Sequence, residues 1–273
     1  METVNVLWTG GLDSTTMVVR FSRQEVHIKP YYFVFDYRKS TEFELSAIRA
    51  ITKMICKQPD TKCIIDDVTV LEQKEIKNHP GVDDAFERLA NSANELNKRD
   101  YAKWIFQKQE MGTAAFLANY YMPFQYQPLA HFSYQHGKLN IGIIEGDHRT
   151  YNTLAMLTET DHETCFVKTE DGNYILNPAS PNADVQTIFK NINFPLIHGW
   201  DKPKERDYLL AHGYEDIFHA TWFCWAPIND APCGQCITCV MTINEGMEER
   251  FSPEAKERYK AIEAKLDKIK SRM

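Results

Sequence analysis

The chain has 273 residues, 43% of them hydrophobic and 12% aromatic, with 31 Lys and Arg against 38 Asp and Glu and a formal net charge of −7. That is enough apolar material for a full buried core, in one large domain or one domain with an appendage, and no tract is rich enough in Pro, Ser or Gly to read as disordered. No apolar run approaches the about 18–20 residues of a membrane span, no basic segment followed by an apolar core marks a signal peptide, and the acidic balance disfavours a grip on long nucleic acid.

The first element is a short β-rich run, Val4 to Trp8. Leu12 to Ser22 follows with Met17, Val18 and Phe21 at helical spacing, so the opening reads strand, loop, helix. Tyr31 to Phe35 is a second buried strand. Residues 40–55 are helical, with Phe43, Ala47, Ile48, Ile51 and Ile55 on one face and Ser40 as the cap. Cys63 to Val68 and Leu139 to Ile144 are further strands. Strands alternating with helices predict an α/β fold with a doubly wound parallel sheet. Residues 72–122 form a helical insertion, mostly exposed up to about residue 110 and more apolar over 108–122. Asp201, Lys202 and Pro203 open another helix that Gly213 ends. Ser252 and Pro253 start a last helix, whose stripe Tyr259, Ile262, Leu266, Ile269 and Met273 docks on the body or meets a partner subunit. The expected organisation is an α/β domain over 1–200 and a helical region over 201–273.

The junction after the first strand reads Thr9, Gly10, Gly11, Leu12, Asp13, Ser14, Thr15, Thr16. Two glycines let the chain turn tightly and bring backbone N–H groups to an anion. The helix that follows aims its unpaired N–H groups and positive dipole end at the same place. Thr9, Ser14, Thr15 and Thr16 add hydroxyls. Asp13 adds a negative charge, which makes sense if it caps N–H groups or helps hold Mg²⁺. A Walker loop is excluded because no lysine follows the glycines, and a dinucleotide fingerprint because the third glycine is missing.

Seven cysteines, an odd number, suit a reducing cytosol and hence a cytoplasmic protein. Cys224, Cys233, Cys236 and Cys239 crowd together, with Gly234 permitting a tight turn. Four thiolates close a tetrahedral site, which makes structural zinc the leading reading; an iron–sulfur cluster and unligated thiols are the alternatives. Cys56, Cys63 and Cys165 read as buried apolar residues.

The glycine junction resembles the S-G-G-x-D-S loop of the N-type ATP pyrophosphatase superfamily, with Thr9 in place of the leading serine. Together with the cysteine spacing it resembles the 7-cyano-7-deazaguanine synthase family. Further matches are Asp36, Tyr37, Glu44 and Leu45 in "FDYRKSTEFEL", Ile141, Gly142, Asp147 and Tyr151 in "IGIIEGDHRTY", and Lys202 before its helix. The family's V-P-G-R-N segment has no counterpart, and Glu145, His148 and Arg149 depart from its base-site segment.

The resemblance implies an adenine nucleotide alpha hydrolase-like fold and a homodimer. It implies ATP and Mg²⁺ as cofactors beside structural Zn²⁺, with ATP at Thr9–Thr15. Asp13, Ser14, Lys202 and Asp147 would be catalytic, and Tyr37, Asp147, His148, Arg149 and Tyr151 would contact a deazapurine carboxylate or similar acid. Adenylation of that acid, then attack by ammonia or an amine, would give an amide or nitrile. Outside the resemblance, Lys202 also reads as a solvated lysine, Asp147 as a turn residue, and His148 and Arg149 as surface or as readers of an acidic substrate. The competing functions are a ligase with another amine, including a protein amino group in a defence or modification system, a tRNA-modifying relative, and a nucleotide-binding subunit without activity.

Overall fold

The computed structural model describes residues 1–35, 38–99, 124–145, 154 and 162–270, with the side chains of 94, 96–99, 162–163 and 265–270 excepted. Among these residues one sheet organises the chain. Its strands are β1 (Glu2–Leu7), β2 (Val26–Val34), β3 (Ile64–Ile65), β4 (Thr69–Glu72), β5 (Leu139–Ile141), β6 (Phe166–Lys168), β7 (Tyr174–Leu176) and β8 (Ile192–Asn193). The order is β3-β2-β1-β5-β8-β7-β6, with β4 also on β2. Pairings from β3 and β4 through β8 are parallel; β7 and β6 are antiparallel additions at one edge.

The expected third strand, Cys63 to Val68, is instead two short segments, and Pro30 supplies the reason. β2 pairs with β3 through His27 and Ile28 and with β4 through Tyr31 to Val34. Trp8 donates to the Tyr31 carbonyl on the β1 side, and Asp66 to the Ile28 carbonyl on the other. Pro30 shares the parity of Ile28, so its missing N–H falls on the β3/β4 side, where the ladder breaks.

Helices cover both faces. Along β1, Val4, Val6 and Trp8 face α1 (Leu12–Ser22), α2 (Thr41–Ile55) and residues of the C-terminal segments, including Leu209, Ile217 and Phe218, in one apolar cluster. The opposite face carries α3 (Val82–Arg99), α4 (Tyr126–His136) and, after the short α5 (His162–Cys165), α6 (Ala183–Phe189), in a second cluster with Phe33, Leu139 and Ile141. The segment expected as a mostly exposed insertion therefore has a core face: Val82, Ala85, Phe86, Leu89 and Ala93 are buried, and Arg88 clamps Asp184 on α6 at 2.9 and 2.7 Å. Residues 108–122 lie outside the described residues.

The chain ends with α7 (Lys202–Ala211), α8 (Glu215–Ala220), α9 (Ile237–Asn244) and α10 (Pro253–Lys270). Asp201 caps α7 through Lys204 N at 2.8 Å, and Ser252 accepts from Ala255 N at the start of α10. Ser40 stands at the N-cap of α2 as expected but makes no side-chain cap bond: its hydroxyl donates to Glu44 Oε1 at 2.5 Å, because the buried Glu44 carboxylate needs donors more than the helix end does. Cys165 is buried as expected, whereas Cys56 is exposed and Cys63 half-buried.

Candidate functional site

The glycine turn lies at the carboxyl end of β1, beside the carboxyl end of β5. Trp8 anchors it from below: the indole is fully buried and its Nε1 donates to Thr15 Oγ1 at 3.1 Å. Gly10 takes φ +69°, and a Cβ there would stand 2.8 Å from the Glu44 carbonyl, so both conformation and space require glycine. Thr9 N donates to Ser14 Oγ at 3.2 Å, and Ser14 Oγ donates to the Gly11 carbonyl at 3.3 Å. Gly11 caps α1 without a side chain, which leaves the first-turn N–H groups of α1 uncapped among the described residues. Two walls fix the turn. Gly142 packs so closely that a Cβ would stand 2.7 Å from Ser14 N and 2.8 Å from the Asp13 carbonyl oxygen. On the other side Trp222 N donates to the Gly10 carbonyl at 2.8 Å. Uncapped N–H groups, hydroxyls and a positive dipole end in a fixed turn suit an anion.

Asp13 neither caps the helix nor stands free: its carboxylate is ion-paired with Lys202 Nζ from the first turn of α7. That pair brings together two residues 189 positions apart and cancels the charge that would repel an anion. Burial pulls the Lys202 pKa down, but the ion pair with Asp13 outweighs it and holds the ammonium charged. Glu205 is fully buried, with Lys202 Nζ 3.7 Å from Oε2 and no hydrogen-bond donor to either oxygen among the described residues. Burial first, then Asp13, drives its pKa well above the carboxylate range. As a neutral acid it can donate its own O–H to Asp13, which resolves the missing partner.

Glu245 completes the charge cluster. Burial raises its pKa to about 7 against the pull of Lys202, with Asp13 and Asp201 adding to the rise. The folded chain therefore favours the protonated form. Its stabilising contribution is fully present below the ordinary carboxylate range and is lost as pH rises through about 7. Glu245→Gln is expected to raise the melting temperature above pH ~8 and to leave it unchanged below pH ~4. Melting curves across that window check it; an equal shift at both ends contradicts the assignment.

The four cysteines converge. Their Sγ atoms all lie within 4.8 Å of one another, Cys233 and Cys239 at 3.8 Å and Cys224 and Cys236 at 4.0 Å. A tetrahedral zinc–thiolate site has sulfurs about 3.8 Å apart, so the set is sized for a single ion and could hold a metal such as zinc. Sulfur supplies every corner, leaving no open position for a substrate. The fold presents these thiols through two turns. Asn229 and Asp230, at φ 50° and 60°, make a two-residue reversal between Ile228 and Ala231. Gly234, at φ +74°, lies against α10, where a Cβ would run into the Ala255 carbonyl. Backbone N–H groups of Cys236 and Gln235 donate to Cys233 Sγ at 3.2 and 3.4 Å. In the thiol form Cys224 and Cys236 share a proton: that bond raises the Cys224 pKa to about 12 and lowers that of Cys236. A divalent ion removes the need to share.

The knuckle also reaches the turn. Trp222, which holds Gly10, donates its indole N–H to the Cys224 carbonyl at 2.7 Å and stacks on Phe43 with ring centroids 4.6 Å apart. Between turn and knuckle lies a cavity of about 170 Å³, floored by Thr9, Gly11, Leu12 and Asp13 and walled by Arg38, Lys202, Trp222, Phe223, Trp225 and Arg250. A larger groove of about 720 Å³ opens at the amino end of the strands, beside Arg20, Lys29, Lys138 and Lys168.

Of the residues singled out in the sequence, the fold brings Thr9, Gly10, Gly11, Leu12, Asp13, Ser14, Thr15 and Lys202 together and gathers the four cysteines. Tyr37, Asp147, His148, Arg149 and Tyr151 lie outside the described residues. Sequence reasoning missed Glu205, Glu245, Arg38 and Arg250. Only Glu205 carried a signal, standing three residues after Lys202 on one helix face. No protein-family model and no curated protein matches the chain.

Proposed function

We propose that the chain is an ATP-dependent ligase that adenylates a carboxylate, releases pyrophosphate, and passes the acyl group to ammonia or an amine. The observation that carries this reading is the Gly10–Gly11 turn, pinned by Gly142 and Trp222, with the uncapped N–H groups of α1 and the Lys202 ammonium beside it. The finer fold we infer is that of the adenine nucleotide alpha hydrolase-like domains, in a cytoplasmic homodimer, with zinc in the knuckle.

In this reading the turn N–H groups and the Thr9 and Ser14 hydroxyls receive the β- and γ-phosphates, where charge grows as the α–β bond breaks. Lys202 would meet phosphate oxygen, and Asp13 would help hold Mg²⁺. That ion, when bound, neutralises the phosphate charge. A carboxylate oxygen of the acid attacks the α-phosphorus and the pyrophosphate oxygen takes the bonding pair. The amine nitrogen then attacks the acyl carbon, AMP leaves with the C–O pair, and the amine proton goes to water. With no nucleophile required from the protein, positioning and electrostatics do the catalytic work. The reading takes a deazapurine carboxylate or similar acid as the substrate, and ammonia, a small amine or a protein amino group as the acceptor.

The test is isotope exchange between pyrophosphate and ATP in the presence of 7-carboxy-7-deazaguanine and a panel of other acids. Wild type is expected to exchange with at least one acid, and Ser14→Ala and Lys202→Ala to lose about a hundredfold or more of that rate. Exchange that survives both substitutions removes the turn from the reaction.

A further inference from the structure

Three cations line the cavity between the turn and the knuckle, and two of them are already answered by acids. Lys202 is paired with Asp13. Arg38 Nη1 lies 3.2 Å from Glu44 Oε2, an oxygen that also accepts from Tyr32 Oη at 2.8 Å. Arg250 is different. Its Nη2 donates to the Thr221 carbonyl and, at 2.8 Å, to Thr221 Oγ1, and its guanidinium carbon sits 4.5 Å from the Phe223 ring centroid and 5.0 Å from that of Phe218. Among the described residues no carboxylate lies within ion-pair distance of it, and Nε and Nη1 make no hydrogen bond. Burial lowers its pKa to about 10, with Glu249 opposing only from a distance. A desolvated guanidinium with donors to spare and no counter-ion is costly unless something anionic completes it.

We infer that Arg250 is the residue that receives the carboxylate of the acid substrate, holding it in this cavity beside the glycine turn. The assignment rests on the ligase reading for its place in a reaction, but the binding site stands on its own geometry. A guanidinium can hold one carboxylate oxygen through a free N–H of Nη1 while the other stays free to attack. Phe223 and Trp222 line the cavity beside Arg250 and supply aromatic surface, and Trp225, also lining it, is 36% exposed. The cavity thus accepts an acid whose body is flat and apolar close to the carboxylate. Thr9 and Gly11 to Asp13 line the cavity, so an acid held there lies next to whatever the turn binds. Arg250 acts as a specificity and positioning residue: it selects charge and sets the approach, and the turn handles the leaving group.

The probes are indole-3-carboxylate and its neutral carboxamide, titrated calorimetrically into the full chain without nucleotide. Wild type is expected to bind the acid about tenfold or more tighter than the amide. Arg250→Gln should abolish that preference. Arg250→Lys keeps the charge but loses the fork, so it should retain a reduced preference; it also serves where loss of the Thr221 contacts unfolds the Gln variant. Trp225→Ala should weaken acid and amide alike and leave their ratio intact. Pyrophosphate binding should be unchanged in Arg250→Lys. Equal binding of acid and amide, no binding of either at millimolar concentration, or a full preference kept in Arg250→Gln overturns the assignment. So does loss of pyrophosphate affinity in Arg250→Lys with acid binding intact, which would give Arg250 to the phosphates. None of these readouts needs turnover, so failed pyrophosphate exchange and failed acid recognition are told apart.

Discussion

Gly142→Ala is expected to reduce ATP-dependent AMP formation by about a hundredfold or more in a chain that still folds. The added methyl would stand 2.7 Å from Ser14 N and 2.8 Å from both the Asp13 carbonyl carbon and oxygen. All three are backbone atoms, so no side chain can swing aside and the turn itself must move. Overpacking of this kind costs about 1–3 kcal/mol of stability, which a domain of this size survives. A shift of about 1 Å in a positioned group is enough to cost two orders of magnitude in rate. Gly142 is not conformationally special, since its φ lies outside the left-handed range, so the effect isolates close approach from strain. Gly172→Ala is the matched control: φ is +84° and a Cβ meets nothing within 4 Å. It should lose about 1 kcal/mol and no activity. AMP release and melting curves on the two variants check this, and a folded, fully active Gly142→Ala contradicts it.

Cys236→Ser should empty the knuckle of metal and disable the turn some distance away. Cys236 is one of four sulfurs around a single point, and three ligands hold a structural ion far less well than four. The chain's own hydrogen bonds around the thiols, N–H groups to Cys233 Sγ and Arg258 Nε to the Cys233 carbonyl at 2.7 Å, orient the ligands without replacing the ion. When the knuckle opens, the Trp222–Cys224 bond goes with it, and with that the brace on the Gly10 carbonyl. Metal content should fall from about one ion per chain to near zero, the melting temperature should drop by several degrees, and AMP formation should be lost, while the sheet keeps its far-ultraviolet signature. Because loading displaces thiol protons, wild-type metal affinity should fall as the medium is acidified. A Cys236→Ser chain that melts like wild type would show that the knuckle carries no stability.

Local signals made the centre of the fold legible. The glycine pair after an apolar run, the spacing of Met17, Val18 and Phe21, and the caps at Asp201 and Ser252 all depend on neighbours a few residues apart, and each element formed where those neighbours placed it. The cysteines were legible for the same reason. The short strands β6, β7 and β8 were not. Phe166–Lys168 and Tyr174–Leu176 are three residues each, too short for alternation to show, and only pairing with the growing sheet makes them strands. The split of the third strand depended on Pro30, a residue in a different strand. In the site, Asp13 with Lys202 and Arg38 with Arg250 are juxtapositions made by the fold across most of the chain. Asp13 and Lys202 stood out singly but not as a pair, and Arg38 and Arg250 read as ordinary surface charges until the packing removes their water.

On the proposed function, the turn at Gly10 and Gly11 directs attack to the α-phosphorus of ATP. Phosphorus NMR of a reaction containing ATP, Mg²⁺, an acid that binds the Arg250 cavity, and ammonia reads this directly. Resonances of AMP and pyrophosphate should grow together in equal amounts, and vanish in Ser14→Ala. Accumulation of ADP with orthophosphate, from attack at the terminal phosphorus, would contradict it.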